Sequence, residues 1–372
     1  MKFKKIISVI SAAVIAASAA SVSAVPVSAA DNTDGWKTSY SKFMKNKFKG
    51  MDFSSVSPEA FGFSVIDLDG NGVPELIESG HQMHPATCII YTYKGGKMLR
   101  LGETESCDYG TLYYDPVSRT ISAEYEGQAD MITQYKVKNG KLKKLRNYSA
   151  SYDKSFCRIN GKEATEKQYD EYFSKYALKY RIPIGRNFSF RTSDVDCAIN
   201  GGKNYKEVYK KFLKGRIDQY GESSFSLKDI TGDKIPELFL KNNAEGEVIN
   251  VYTFNEGRLQ FMGNSSLYAT MGYENLKASF CSSTDTVFFT GNYEYHDNQK
   301  IQYFCSLKEG FLVQEAFLNK YSSDGKNTYY CINKKITKSE YNNYLKKYSK
   351  MKFKSVGKSY RLTENNINAL LK

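Results

Sequence analysis

Phe63-Ser64-Val65-Ile66-Asp67-Leu68-Asp69-Gly70-Asn71-Gly72-Val73-Pro74-Glu75-Leu76 is echoed by Phe225-Ser226-Leu227-Lys228-Asp229-Ile230-Thr231-Gly232-Asp233-Lys234-Ile235-Pro236-Glu237-Leu238. In both stretches two apolar, strand-like runs flank a turn rich in Asp, Asn, Thr and Gly. Downstream, Ile90-Tyr91-Thr92-Tyr93 matches Val251-Tyr252-Thr253-Phe254, and Thr165 to Tyr176 matches Thr337 to Tyr348, in the same order and at nearly the same separation. Ordered self-similarity of this kind marks a tandem duplication. The chain therefore divides into an export segment (1–30), a first repeat (31–200) and a second repeat (201–372), with Asn200-Gly201-Gly202-Lys203 as the joint. At about 100–200 residues per domain, a chain of 372 residues has room for two domains with cores of their own.

Each repeat opens with a helix. Tyr205, Val208, Tyr209 and Phe212 recur at helical spacing behind an Asn204 cap, and Trp36, Tyr40 and Phe43 form the counterpart. Near its end each repeat carries a second helix, where Thr165 with Gln168 and Thr337 with Glu340 make capping boxes. Aromatic stripes follow at Tyr169, Tyr172, Phe173, Tyr176 and at Tyr341, Tyr344, Leu345, Tyr348, and are expected to be core. Short helices are expected after Thr192 and Thr363. Between the helices, runs such as Cys88 to Tyr93, Lys97 to Leu101, Thr111 to Tyr114, Thr120 to Tyr125 and Met131 to Val137 are punctuated by Gly95-Gly96, Asp115-Pro116 and Asn139-Gly140. Spacing this close leaves no room for crossover helices. The expected fold class is α+β, with two copies of an antiparallel meander of roughly seven strands flanked by helices.

The turn in the first stretch carries the chemistry. Asp67, Asp69, Asn71 and Glu75 stand at positions 1, 3, 5 and 9, and the Val73 carbonyl stands at position 7. Oxygens at alternate positions of a tight loop can converge on a hard cation, and Gly72 at position 6 permits the positive φ the turn needs. An EF-hand would need flanking helices and an acid at position 12, here Glu78; the flanks read as strands instead. The arrangement resembles the nine-residue calcium loops in β-hairpins of the FG-GAP and VCBS repeats, over about fifteen residues in each copy. Loops of the DxDGNGxxEL form also place the chain beside secreted proteins of Gram-positive bacteria in style. The resemblance implies bound calcium as cofactor, but two long copies cannot supply the blades of that family's propeller. Asp-Gly-Asn-Gly between strands is also a good plain hairpin turn. In the second copy Asp229, Asp233 and Glu237 keep three carboxylates, whereas Thr231 and Lys234 replace Asp69 and Gly72, which makes it a weaker site.

Composition sets the wider frame: 41% apolar, 25% charged and 14% aromatic residues describe a globular chain rather than a disordered or fibrous one. Met1 to Ala30 has a basic start, an apolar run from Ile6 to about Ala20 and small residues before plausible cuts after Ala24, Ala29 or Ala30, as a secretory signal does. The run is shorter than the roughly twenty residues a membrane span needs. The expected location is outside the cell, released or held at its surface. Seven cysteines are too sparse for a disulfide scaffold and odd in number, so buried thiols are expected. His81, His84 and His296 are the only histidines, and no nucleophile elbow, zincin or P-loop pattern occurs. Charge is uneven: 24 basic against 22 acidic residues in 31–200, and 26 against 18 in 201–372, with Lys346, Lys347, Lys350, Lys352, Lys354 and Lys358 near the end.

These features lead to a monomeric, secreted, non-catalytic binding or adhesion protein with a calcium-stabilised loop. Its expected partner is an extracellular polysaccharide, an anionic wall polymer or a host surface, not nucleic acid, and it has no membrane span. Tyr91, Tyr93, Tyr113, Tyr125 and Tyr252 are the candidate sugar-stacking rings. The alternative is an extracellular glycosidase using paired carboxylates, for which Glu124 and Glu126 are the sequence candidates.

Overall fold

The computed structural model describes residues 34–49, 61–79, 88–104, 110–126, 129–151, 153–217, 223–242, 247–265, 273–293, 296–323, 326–331 and 334–372. The expected signal segment and the His81 and His84 pair lie outside these residues. In the first repeat β1 (Gly62–Ile66), β2 (Glu75–Ser79), β3 (Cys88–Lys94) and β4 (Lys97–Glu103) are successive antiparallel neighbours, and β12 (Phe188–Ser189) adds to the free side of β1. A second, seven-stranded sheet follows from β5 (Gly110–Asp115), β6 (Thr120–Glu126), β7 (Ala129–Lys138), β8 (Lys141–Ser151), β9 (Cys157–Ile159) and β10 (Lys162–Glu163), with β11 (Ile182–Ile184) beside β5.

The second repeat reproduces both sheets. Its five-stranded sheet contains β13 (Ser224–Lys228), β14 (Glu237–Asn242), β15 (Val248–Asn255), β16 (Arg258–Asn264) and the returning β24 (Tyr360–Arg361). Its seven-stranded sheet contains β17 (Tyr273–Cys281), β18 (Thr286–Tyr293), β19 (His296–Lys308), β20 (Phe311–Ser323), β21 (Lys326–Cys331), β22 (Lys334–Ile336) and β23 (Lys354–Ser355). No sheet takes strands from both repeats, and the strand order is the same in each.

Helices pack against the sheets. α1 (Gly35–Lys49) and α4 (Tyr205–Lys214) lie on the two five-stranded sheets, and α2 (Glu166–Tyr176) and α5 (Lys338–Ser349) on the seven-stranded ones. α3 (Thr192–Val195), which runs into a π turn at Asp196–Asn200, and α6 (Glu364–Leu370) close the repeats. Strand alternation explains the layers in the second repeat. Leu238 and Leu240 of β14 pack with Val208 and Phe212 of α4, while Phe239 between them joins Val287, Phe289 and Tyr303 of the other sheet. Both capping boxes form. The stripe on α2 is covered only in part, with Tyr169 buried and Phe173 40% exposed.

The α+β expectation is corrected: the chain is mostly β, with 49% in strands against 23% in helices and four antiparallel sheets. Twelve strands form in each repeat among the described residues, not about seven. The extra ones, β9 to β12 and β21 to β24, are mostly two or three residues long. Such pieces are too short for hydrophobic alternation to register, and they pair only because the sheet edge is already there.

The two repeats pack as one compact unit from Asp34 to Lys372 and share their largest core. Phe188 of the first meets Phe212 and Tyr252 of the second, with ring centroids 6.2 and 5.9 Å apart, and Tyr114 meets Phe311 at 6.3 Å. At the centre of the junction Arg216, 4% exposed in its side chain, clamps Asp194, at 0%, through two hydrogen bonds of 2.6 Å. Asp194 also accepts from the Ser189 amide and hydroxyl. Removing one partner of a buried ion pair leaves the other charge uncompensated. Asp194→Ala is therefore expected to destabilise the intact chain by about 3–5 kcal/mol in denaturant unfolding. Combined with Arg216→Met it should cost clearly less, and a loss below about 1 kcal/mol for Asp194→Ala alone would deny the pair this role.

Candidate metal centre

The Asp67 loop joins β1 to β2 as a hairpin, with Ile66 paired to Glu75. Asp67 holds the loop in shape. Its carboxylate accepts from the amides of Gly70 (2.7 Å), Asn71 (3.1 Å) and Gly72 (2.9 Å), while the Asn71 side chain accepts from the Val73 amide (2.7 Å). Gly70 and Gly72 have φ of +74° and +85°. A side chain on Gly70 would in addition collide with the Arg119 guanidinium, which donates to the Asp69 carbonyl at 2.6 Å. Tyr40 of α1 donates to the Pro74 carbonyl at 3.0 Å, so the helix pins the far side of the loop.

Glu75 is fully buried at the base. It accepts from the Leu68 amide (2.8 Å) and the Thr92 hydroxyl (2.9 Å). One carboxylate oxygen from each of Asp67, Asp69 and Glu75 lies within 4.8 Å of the others. Burial, and then the Asp69 charge, push the Glu75 carboxyl up to about 8; burial, with Asp67 beside it, also raises Asp69. Each of these oxygens has a second lone pair, so loop-shaping hydrogen bonds and cation ligation are compatible. Arg258 from the second repeat adds a further link: it reaches the Val65 carbonyl at 3.5 Å and lies over Trp36 at 5.6 Å.

The second loop copies this scaffold down to single bonds. Glu237 accepts from the Ile230 amide (2.8 Å) and the Thr253 hydroxyl (3.1 Å), Asp229 from the amides of Gly232 and Lys234, and Tyr209 donates to the Pro236 carbonyl. Lys234 sits at φ +71°, the conformation Gly72 occupies in the first loop. One difference is chemical. Where the first loop sets the Asp69 carboxylate beside Glu75, the second sets Thr231, whose hydroxyl donates to Glu237 at 3.3 Å. Asp233 is exposed and accepts from the Ile235 amide (2.8 Å), and among the described residues no three acids converge here.

The remaining sequence candidates are scattered. Tyr113 and Tyr252 are each 3% exposed; the first lies beneath Arg181 (4.2 Å) and the second is packed among Phe188, Phe212 and Phe261. Neither offers a ring face to an external polymer, so both are corrected out of the stacking set: strand alternation placed them on a covered face. Tyr91 is half-buried against Phe43, and Tyr93 and Tyr125 are half-buried too. Glu124, proposed as one of two hydrolytic acids, is buried and paired with Arg181, while the side chain of Glu126 lies outside the described residues. The six described cysteines are all buried and free. Among the described residues no helix is long and apolar enough to cross a membrane.

Thr92, Arg119, Arg258 and Tyr40 escaped the sequence reading as parts of the site. For Thr92 a signal was present, since the Tyr-Thr pair is repeated at Tyr252-Thr253; its role needed a contact seventeen residues away in sequence.

No family model matches the chain, and no curated protein does. Among solved structures the chain is similar to the β-propeller domain of Cps50 (Swd1) from Myceliophteria thermophila, at 10% identity over 73% of this chain and 80% of that one, TM-score 0.20. It is also similar to AofleA from Arthrobotrys oligospora, at 7% identity over 81% and 88%, TM-score 0.19. At such TM-scores neither likeness carries an argument.

The buried acids set a pH signature in chelator-treated protein. Glu75 is raised from 4.5 to about 8 and Glu237 from 4.5 to about 7, so the folded chain keeps protons that the unfolded chain releases. The stability they contribute is complete below about pH 4.5 and drains away as pH rises through the folded values. The melting temperature is therefore expected to fall between about pH 5 and pH 8.5 without calcium, and Glu75→Gln with Glu237→Gln should flatten the slope. A melting temperature that climbs across this window would contradict the burial assigned to these two groups.

Proposed function

We propose that the chain is a secreted, non-catalytic binding protein whose first repeat is stabilised by calcium at Asp67, Asp69 and Glu75, with Asn71 and the Val73 carbonyl completing the ligands. The observation that carries this reading is the Asp69–Glu75 juxtaposition. At the matching place the second repeat puts a hydroxyl that donates to its buried glutamate, whereas the first puts a second carboxylate. Two carboxylates facing each other over a buried base need a proton or a cation between them. A flexible, all-oxygen set suits calcium better than magnesium, which demands a tighter octahedron. On this reading the export-type leader places the site where calcium is millimolar, and the cation takes over the neutralising role that Thr231 plays in the second loop.

The binding role is supported by the fold and by the charge. Two rigidly joined repeats suit an extended extracellular polysaccharide, an anionic wall polymer or a host surface. The excess of lysine near the C-terminus favours an acidic one. Against the glycosidase alternative, Glu124 is committed to Arg181, and the inter-repeat cavity has no carboxylate among its described lining residues.

A site with a Kd of about 0.1 mM would gain roughly 1.4 kcal/mol at about 1 mM calcium, a rise of about 2 °C for a chain of this size. Magnesium should give much less. Asp67→Ala should abolish most of the rise and Asp229→Ala should leave it intact; no change on adding calcium to the wild-type protein would reduce the loop to a hairpin turn. Separately, the mature chain should be retained on acidic polysaccharide columns more than on neutral ones, with retention falling as salt is raised. A panel of wall, plant and host glycans that retained none of it would end the polymer reading.

A further inference from the structure

A shallow, open hollow of about 430 Å³ runs along α1 beside the π turn that carries the chain into the second repeat. Lys42, Lys45 and Lys49 line it, with Thr38, Asn46 and Asn200 among them. Their spacing at i, i+3 and i+7 puts the three ammonium groups on one side of the helix. α1 holds five lysines and no acid. The two outside the hollow are matched, Lys37 by Asp34 at 2.9 Å and Lys47 by Glu78. Lys42 and Lys49 are exposed and have no acidic partner among the described residues. Lys45 shares the carboxylate of Asp196 with Lys211 of α4, at 2.9 and 2.6 Å, so the basic face runs from the first repeat's helix onto the second's. Asn200 donates its amide hydrogens to Ser41 and Asp196 and keeps its carbonyl oxygen as an acceptor.

The duplication sets this face apart from its counterpart. Tyr40 and Tyr209 fix the alignment, each donating to the proline carbonyl of its own loop. Thr38 then corresponds to Glu207, the one acid of α4, which accepts from the Lys203 amide at 3.2 Å. An acid near the start of a helix is normally favourable, because it meets the positive end of the helix dipole. α1 forgoes it, and a hydroxyl stands in the hollow instead. Lysine is a point charge with rotatable donors, so this set responds to charge density and does not demand the planar fork that arginine reads. So open a hollow gives a small ion no enclosure, whereas an extended chain can touch all four lysines at once. Each exposed contact is weak, and contacts along one chain gain from effective concentration. Hydroxyl and amide groups set among the ammonium groups suit a chain whose charges are separated by hydroxyls, as those of linked sugar acids are.

We propose that this face is the docking site for an acidic polysaccharide, with Lys42, Lys45, Lys49 and Lys211 meeting its carboxylates and Thr38, Asn46 and Asn200 its hydroxyls. The assignment rests on the polymer-binding reading and locates it on α1 and α4 rather than at the C-terminal lysines, of which Lys347 is already engaged by Glu315. Binding of the intact mature chain to polygalacturonate, dextran and inorganic polyphosphate, followed by surface plasmon resonance, tests it. Wild type should bind polygalacturonate, more weakly as salt is raised, and ignore dextran. Lys42→Ser combined with Lys49→Ser should weaken binding by about tenfold and Thr38→Glu by about threefold, with melting temperatures close to wild type because all three side chains are exposed. Lys346→Ser combined with Lys350→Ser makes the same change in net charge at the other cluster and should weaken binding by less than about twofold. Equal losses in the two double variants would mean that net charge alone holds the polymer: the site falls and the polymer reading stands. Tighter binding of polyphosphate than of polygalacturonate overturns the sugar assignment. If wild type binds neither polyanion, the polymer reading falls and takes this site with it.

Discussion

The buried clamp of Arg216 on Asp194 is the constraint from which the rest of the architecture follows. Each charge is taken out of water at a cost of several kcal/mol, and only a bidentate geometry with further hydrogen bonds recovers it. Those further bonds come from Ser189 at the end of the returning strand β12 and from the Phe212 carbonyl at the end of α4. A pair so exacting fixes the first repeat's last strand against the second repeat's first helix. Phe188, Phe212 and Tyr252 then fill the space around it, and Arg216, Phe188 and Tyr252 also line the cavity between the repeats.

That junction makes unequal what duplication made equal. β4 and β16 are the same strand in the two copies, yet Lys97 and Arg100 of β4 are exposed while Arg258 and Phe261, at the matching positions of β16, are buried. The second copy receives the π turn of the first on this strand, burying Cys197, Ala198 and Ile199. The corresponding edge strand of the first copy, β4, carries exposed lysine and arginine, which discourage pairing with another strand.

The paired loops show how one scaffold tolerates two chemistries. A buried glutamate at the base of each hairpin is held by a backbone amide and a threonine hydroxyl, and that much is structural. What differs is the group facing it. A hydroxyl completes a neutral hydrogen-bond set, and a carboxylate creates a demand for a counter-charge that no side chain of the loop meets. Arg119 is near enough to help but spends a donor on the Asp69 carbonyl.

The duplication, the antiparallel meander, the capped helices and the hairpin loops could all be read from residue order, because each is decided by neighbours within about ten positions. The convergence of Asp67, Asp69 and Glu75 was legible for the same reason: nine residues of turn chemistry place them together. Three things were not. The short returning strands have no pattern of their own and exist only where a sheet edge waits for them, so an α+β reading gave way to a mostly β chain. The burial of Tyr113 and Tyr252 depends on which face of a strand another layer covers, and alternation alone cannot name that face. The Arg216–Asp194 clamp and the cavity between the repeats join residues from different repeats. Local sequence sets which side chains a strand presents, but only the docking of one repeat on the other decides which of them meet, since that contact is selected by burial and charge pairing across the whole molecule.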